Sequence, residues 1–150
     1  FSGTRAKTPS TPRMRLGFQV PDFVGLLCGQ QAQQGENSPL ISAVSLHNEL
    51  LEKHPDILQT LYQSFYFDRR GEFSKGESPI SSAPVFSWNG GELMIRYLHY
   101  YILVGHQRAG RPLTSNQEEI LNTVEALIQQ ARLRIEFRLQ PGQILWTNNH

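Results

Sequence analysis

Apolar and polar positions along the chain fall into two rhythms. Phe23 to Cys28 (FVGLLC) is an unbroken apolar run of strand length, which predicts a strand buried on both faces. Leu133, Ile135, Phe137 and Leu139 alternate with Arg132, Arg134, Glu136 and Arg138, the period of a half-buried strand. Pro141-Gly142 then predicts a turn and Ile144-Leu145-Trp146 a last strand. Pro84–Trp88 and Glu92–Tyr97 flank Asn89-Gly90-Gly91, the signature of a hairpin whose turn needs positive φ. Phe65–Asp68 and Leu40-Ile41 with Val44 predict two further short strands.

Helical spacing is confined to two regions. Leu46, Leu50 and Leu51 share one helical face, and Pro55 suits the first turn of a second helix. Ile57, Leu58, Leu61, Tyr62 and Phe65 form an amphipathic stripe after it. Ser115-Asn116-Gln117-Glu118 matches a capping box, followed by Ile120, Leu121, Val124, Leu127 and Ile128 on one face. Leu98–Val104 reads equally as strand or helix, and Gly105–Pro112 as a loop. Residues 1–22, 29–39 and 69–82 read as loops, the first because Thr8-Pro9 and Thr11-Pro12 oppose helix. Many short strands with helices grouped in two insertions predict a mainly β protein of the α+β class, a β-sandwich or jelly roll, and not alternating βαβ units.

Composition narrows the function classes. The 150 residues suit one domain, and 14 Lys and Arg against 13 Asp and Glu leave a net charge of +1. Such a balance gives no electrostatic reason to expect a nucleic-acid or membrane-surface partner. The single cysteine, Cys28, has no partner for an internal disulfide, and we expect a reducing, cytoplasmic setting. Within its apolar run it reads as a small buried hydrophobe. No apolar run approaches the roughly 20 residues of a membrane span. The chain starts on Phe1 and stops on His150 just after a strand, so we expect a piece of a longer protein. We find no P-loop, dinucleotide fingerprint, nucleophile elbow or paired Cys-x-x-Cys.

Taken in order, Gly3–Ala6 (GTRA), the Asp22–Cys28 run, Gly35–Ser45, the Pro55-Asp56 helix start, Pro84–Tyr97 and Leu139–Asn149 (LQPGQILWTNN) resemble one family. It is the taurine dioxygenase (TauD/TfdA-like) group of Fe(II)- and 2-oxoglutarate-dependent oxygenases. The resemblance covers nearly the whole chain. It implies a clavaminate synthase-like double-stranded β-helix, here a single partial domain over 1–150 with residues 1–22 as its lead-in and outer parts missing. It also implies a small-molecule substrate, and iron held by two histidines and a carboxylate with open positions for 2-oxoglutarate and dioxygen.

Against that pattern, the first ligand histidine falls on Gly17 and the carboxylate on Gln19. Neither side chain replaces what the family uses there. The second histidine would lie a few residues past Asn148-Asn149, and His150 comes slightly too early. Ser38 takes the place of the family's Thr or Ser that hydrogen-bonds the 2-oxoglutarate carboxylate, and reads equally as a serine opening a turn before Pro39.

Other candidates have plainer readings. His54-Pro55-Asp56 is literally a His-x-Asp, but it marks a helix start where the acid complements the helix dipole. His47 is expected on an exposed polar face, and His99 and His106 lie seven apart with no acidic neighbour in sequence. Trp88, Arg96 and Tyr97 would line a substrate pocket or simply pack the sheet. Three functions follow: a family oxygenase seen in part, a degenerate homologue that binds or scaffolds without metal chemistry, or a chain altered by splicing between Pro9 and Pro21. Incomplete sheets would also expose edges through which the chain self-associates.

Overall fold

The computed structural model describes residues 23–31 and 38–148. The first strand, β1 (Phe23–Leu27), is followed by β2 (Ser38–Ile41), α1 (Ala43–Lys53) and α2 (Pro55–Leu61). Next come β3 (Ser64–Asp68), β4 (Ile80–Pro84), β5 (Phe86–Asn89), β6 (Glu92–Ile95), α3 (His99–Arg108) and α4 (Ser115–Ile128). A single 3-10 turn at Ala131–Leu133 leads to β7 (Arg134–Phe137) and β8 (Ile144–Asn148). Among the described residues all pairings are antiparallel and give four two-stranded sheets, β1–β8, β2–β7, β3–β4 and β5–β6. The molecule is therefore mixed α and β with small sheets, and helices grouped as the spacing predicts.

The core lies where helices meet the two local hairpins. Leu46 and Leu50 of α1, Leu58 and Leu61 of α2, Phe65 and Phe67 of β3, and Val85 and Phe86 at the start of β5 are buried together. Ile102 of α3 and the stripe Ile120, Leu121, Val124 and Leu127 of α4 close it. Leu51, expected on the same face as Leu46 and Leu50, is exposed instead. Adjacent helical positions lie about 100° apart, so one residue of a Leu-Leu pair faces away once the other is seated. The α2 stripe is divided similarly, with the helix ending at Leu61 and Phe65 entering β3.

Local chemistry sets the element ends. Gly90 and Gly91 take φ of 58° and 90° between paired Asn89 and Glu92, a two-residue turn with both φ positive. The capping box sits one residue earlier than predicted, with Thr114 accepting from Gln117 N–H and the Gln117 side chain returning to Thr114 N–H. His54 closes α1 through its N–H to Leu50 C=O and precedes Pro55, which opens α2. Leu98–Val104 resolves as helix: α3 continues through Gly105 to Arg108, well into the expected loop.

Helix α3 runs along the outer edge of β3. Tyr66 N–H donates to His106 Nε2, and His106 Nδ1–H donates to Arg111 C=O at 2.8 Å. The approach is so close that a Cβ on Gly105 would stand 2.6 Å from the carbonyl carbons of Tyr66 and Phe67. A strand edge left open to solvent invites pairing with another chain, and here a helix covers it.

The β1–β8 ribbon differs from the expectation. Phe23, Leu26 and Leu27 are exposed, as are Ile144, opposite Leu27, and Trp146, opposite Gly25. Burial on both faces is not found because, among the described residues, β1 pairs only with β8 and no layer covers either face. Ile135 of β7 is likewise 68% exposed, so the alternation there marks a strand whose apolar side is uncovered.

Candidate functional site

The ladder between β1 and β8 pairs Phe23 with Asn148 and Leu27 with Ile144. Strand β1 begins and β8 ends at the same end of the ribbon, an antiparallel arrangement that joins two segments far apart in sequence. At the other end, Cys28 N–H donates to Gln143 C=O and Gly142 N–H to Cys28 C=O, extending the ladder into the Pro141-Gly142 turn. The Cys28 thiol is half-buried, unpaired with any other cysteine, and directed to Leu139 C=O.

Of the sequence-predicted site residues, Gly17, Gln19 and His150 lie outside the described residues. Ser38 opens β2 in register with Phe137. The described histidines occupy structural positions. His47, expected exposed, is buried at 8% because α1 turns it toward Tyr62 and Phe86. Trp88 Nε1–H donates to the Tyr62 hydroxyl at 2.8 Å, and that hydroxyl shares a hydrogen bond with His47 Nε2 at 2.9 Å. His106 is held between Tyr66 and Arg111 as described. His99 lies 3.6 Å from the Glu125 carboxylate across α3 and α4. Among the described residues, no three His, Cys, Asp or Glu side chains come together in a way that would hold a metal ion.

Trp88, Arg96 and Tyr97 also find partners in the scaffold. The Arg96 guanidinium stacks over Phe67 at 4.5 Å and donates to Ser81 Oγ at 2.9 Å. Burial, and then the nearby charge of Arg69, lowers the basicity of Arg96. Tyr97 donates to Leu121 C=O, and burial, reinforced by Glu125, pushes its phenol well above the usual range. It is a proton-bearing anchor of α4 to the segment that follows β6. Sequence reasoning missed the strongest charged contact, in which buried Glu49 of α1 accepts a two-pronged contact from Arg132 and a second cation, Lys53, at 2.8 Å. Arg132 lies 83 residues beyond Glu49, and no local pattern pairs those two.

The family model for taurine catabolism dioxygenase TauD, TfdA family, matches residues 18–150. The chain belongs to the TauD/TfdA family. Two relatives of this TauD/TfdA chain are FR-33289 synthase of Streptomyces rubellomurinus, 31% identical over 126 residues, and the taurine hydroxylase-like protein SAT17 of Stachybotrys chartarum, 33% identical over 140 residues. These alignments cover 83% and 89% of this chain but 37% and 35% of the relatives, so the chain spans little over a third of their length. The TauD/TfdA match starts at residue 18 and so leaves out Gly3–Ala6, where the resemblance is expected to begin. No helix among the described residues is long and apolar enough to cross a membrane.

Proposed function

We propose that this chain is part of an Fe(II)- and 2-oxoglutarate-dependent oxygenase acting on a small molecule in the cytoplasm, built on a double-stranded β-helix. We further propose that these 150 residues do not by themselves hold iron completely. The observation that carries the reading is the Phe23–Asn148 pair. The family's first ligand positions fall shortly before Phe23 and its second histidine shortly after Asn148, so one ladder end serves both. Ser38 is proposed to hydrogen-bond the 2-oxoglutarate carboxylate.

The residues present do not fit a complete iron site. Glycine at 17 has no ligating atom, glutamine at 19 offers a neutral amide oxygen where the family uses a carboxylate, and His47, His99 and His106 are committed elsewhere. No catalytic step is therefore derived through the metal. Iron content and 2-oxoglutarate-dependent succinate release of the purified chain test the reading. We expect substoichiometric iron and no succinate, and gains in iron affinity from Gly17→His with Gln19→Asp in a chain lengthened beyond His150. Stoichiometric iron with turnover in the unaltered chain would overturn it.

A second reading rests on the resemblance at Gly3–Ala6, which is lost over about a dozen residues and resumes at Asp22. The segment Pro9–Pro21 is then the product of a different splice junction, with the His-x-Asp on excluded sequence. Genomic sequence flanking the segment decides this, and the absence of in-frame His-x-Asp codons ends it. A binding or scaffolding homologue is the outcome if no such codons exist and the lengthened double substitution gains no iron affinity.

A further inference from the structure

An indole, a phenol and an imidazole from three separate elements meet end to end beside the core. Trp88 of β5 donates its Nε1–H to the hydroxyl of Tyr62, just past α2, at 2.8 Å. The same oxygen lies 2.9 Å from Nε2 of His47 on α1. The imidazole packs edge to face against Tyr62, Phe86 and Trp88, with ring centroids 6.0, 5.4 and 6.1 Å away. His47 is 8% exposed and Phe86 is fully buried, so the imidazole is largely screened from water.

The far side of the imidazole gives the direction of the shared proton. Nδ1 of His47 lies 3.5 Å from Oδ1 of Asn48, and an amide oxygen can only accept. A neutral ring with its proton on Nδ1 leaves Nε2 as an acceptor, and the phenol is the donor that it meets. Among the described residues, Tyr62 alone of the tyrosines has an imidazole nitrogen at its hydroxyl. Packing would be served by any acceptor at that point, but a base matters once the phenol loses an electron. An oxidised phenol is far more acidic than the phenol itself, so in an apolar setting its oxidation proceeds only where a base can take the proton.

We propose that Trp88, Tyr62 and His47 form a one-electron donor site that discharges small oxidising radicals. The radical takes one electron from the Trp88 indole and becomes its anion. Tyr62 then returns an electron to the indole while its phenolic proton passes to His47 Nε2. Trp88 is restored, Tyr62 becomes a neutral phenoxyl radical and His47 an imidazolium. The Trp88 N–H still donates to the phenoxyl oxygen, and the transferred proton stays within the Tyr62–His47 hydrogen bond. One electron from a thiolate, which becomes a thiyl radical, draws the proton back and resets the site. The three side chains are hydrogen-bonded in series, so neither the electron nor the proton has to cross a gap between them.

Pulse radiolysis of the 150-residue chain with the azide radical tests the assignment. The parent carries Trp146→Phe, which leaves Trp88 as the only indole and lies outside the buried core. The indolyl radical should decay with a matching rise of phenoxyl absorption, at a rate independent of protein concentration. Tyr62→Phe should slow that decay at least tenfold and abolish the matching phenoxyl rise. His47→Gln keeps an acceptor of far lower basicity and should slow the transfer at least tenfold, and deuterium oxide should slow it at least twofold in the parent. A parent that shows no indolyl radical, or no phenoxyl rise after it, overturns the proposal. So does a transfer indifferent to Tyr62→Phe or to His47→Gln. If either variant loses helical signal by circular dichroism, the parent decides, and a transfer equally fast in deuterium oxide overturns the proposal. None of these readouts involves iron, so the result is separate from the proposed oxygenase chemistry.

Discussion

The Tyr66 backbone N–H donates to His106 Nε2 at 3.2 Å, so an imidazole on a helix stands where a neighbouring strand's carbonyl would be. The opposite ring nitrogen donates to Arg111 C=O, which fixes the tautomer with its proton on Nδ1. With His106 only 5% exposed, both backbone groups depend on this one ring away from water.

Removing the ring should therefore cost more than its volume suggests. His106→Leu leaves two backbone groups unsatisfied, at about 1–3 kcal/mol each. Thermal unfolding should show a midpoint lowered by at least roughly 5 °C, with His106→Gln intermediate. A leucine variant that melts with the wild type would show that the edge contact is incidental.

Gly105→Ala pits two effects against each other. Alanine in a helix interior gains about 1 kcal/mol over glycine. The new Cβ, however, would meet the Tyr66 and Phe67 backbone at 2.6 Å, and backbone cannot rotate aside as a side chain does. Overpacking of this kind costs roughly 1–3 kcal/mol, so net destabilisation is expected in urea titrations. Increased stability would mean that α3 can lift from β3 without loss.

The Glu49–Arg132 contact should appear in the acid limb of stability. Hydrogen bonding from Arg132 first, and then from Lys53, holds the Glu49 carboxyl at about 2, against an ordinary value of 4.5. A depressed carboxyl contributes stability that is complete above the unfolded value and is lost as pH falls through the folded one. The contribution should thus be intact above pH 4.5 and fade toward pH 2. Glu49→Gln should flatten that part of the curve. An acid limb identical in the glutamine variant would remove Glu49 as its source.

Tyr62 links α2 to β5 through Trp88 and to α1 through His47. Tyr62→Phe keeps the ring but strands the buried His47 nitrogen, at about 1–2 kcal/mol. The half-open Trp88 indole should also change its emission, because its N–H partner is lost. In a Trp88→Phe background only the stability change should remain.

Much of the architecture is written in local pattern. The Gly90-Gly91 hairpin, the Pro55 helix start, the α4 stripe and the family resemblance over residues 18–150 depend on neighbours within a few residues, where spacing and turn chemistry decide the backbone. The capping box slipped by one residue because Thr114 and Ser115 are both competent caps, and only the path of the preceding chain selects between them. The candidate site was legible only in part, as a gap at Gly17 and Gln19 in an otherwise familiar frame. What the sequence by itself determined is the family, a mixture of helices with short strands, and those two side chains. Tertiary structure decided the rest. Whether FVGLL is buried depends on which layers arrive over it, whether His47 is exposed depends on where Tyr62 and Phe86 stand, and whether His106 is a ligand or an edge cap depends on α3 meeting β3. Each is a contact between segments distant along the chain, and periodicity records which side of an element is apolar without recording what will cover it.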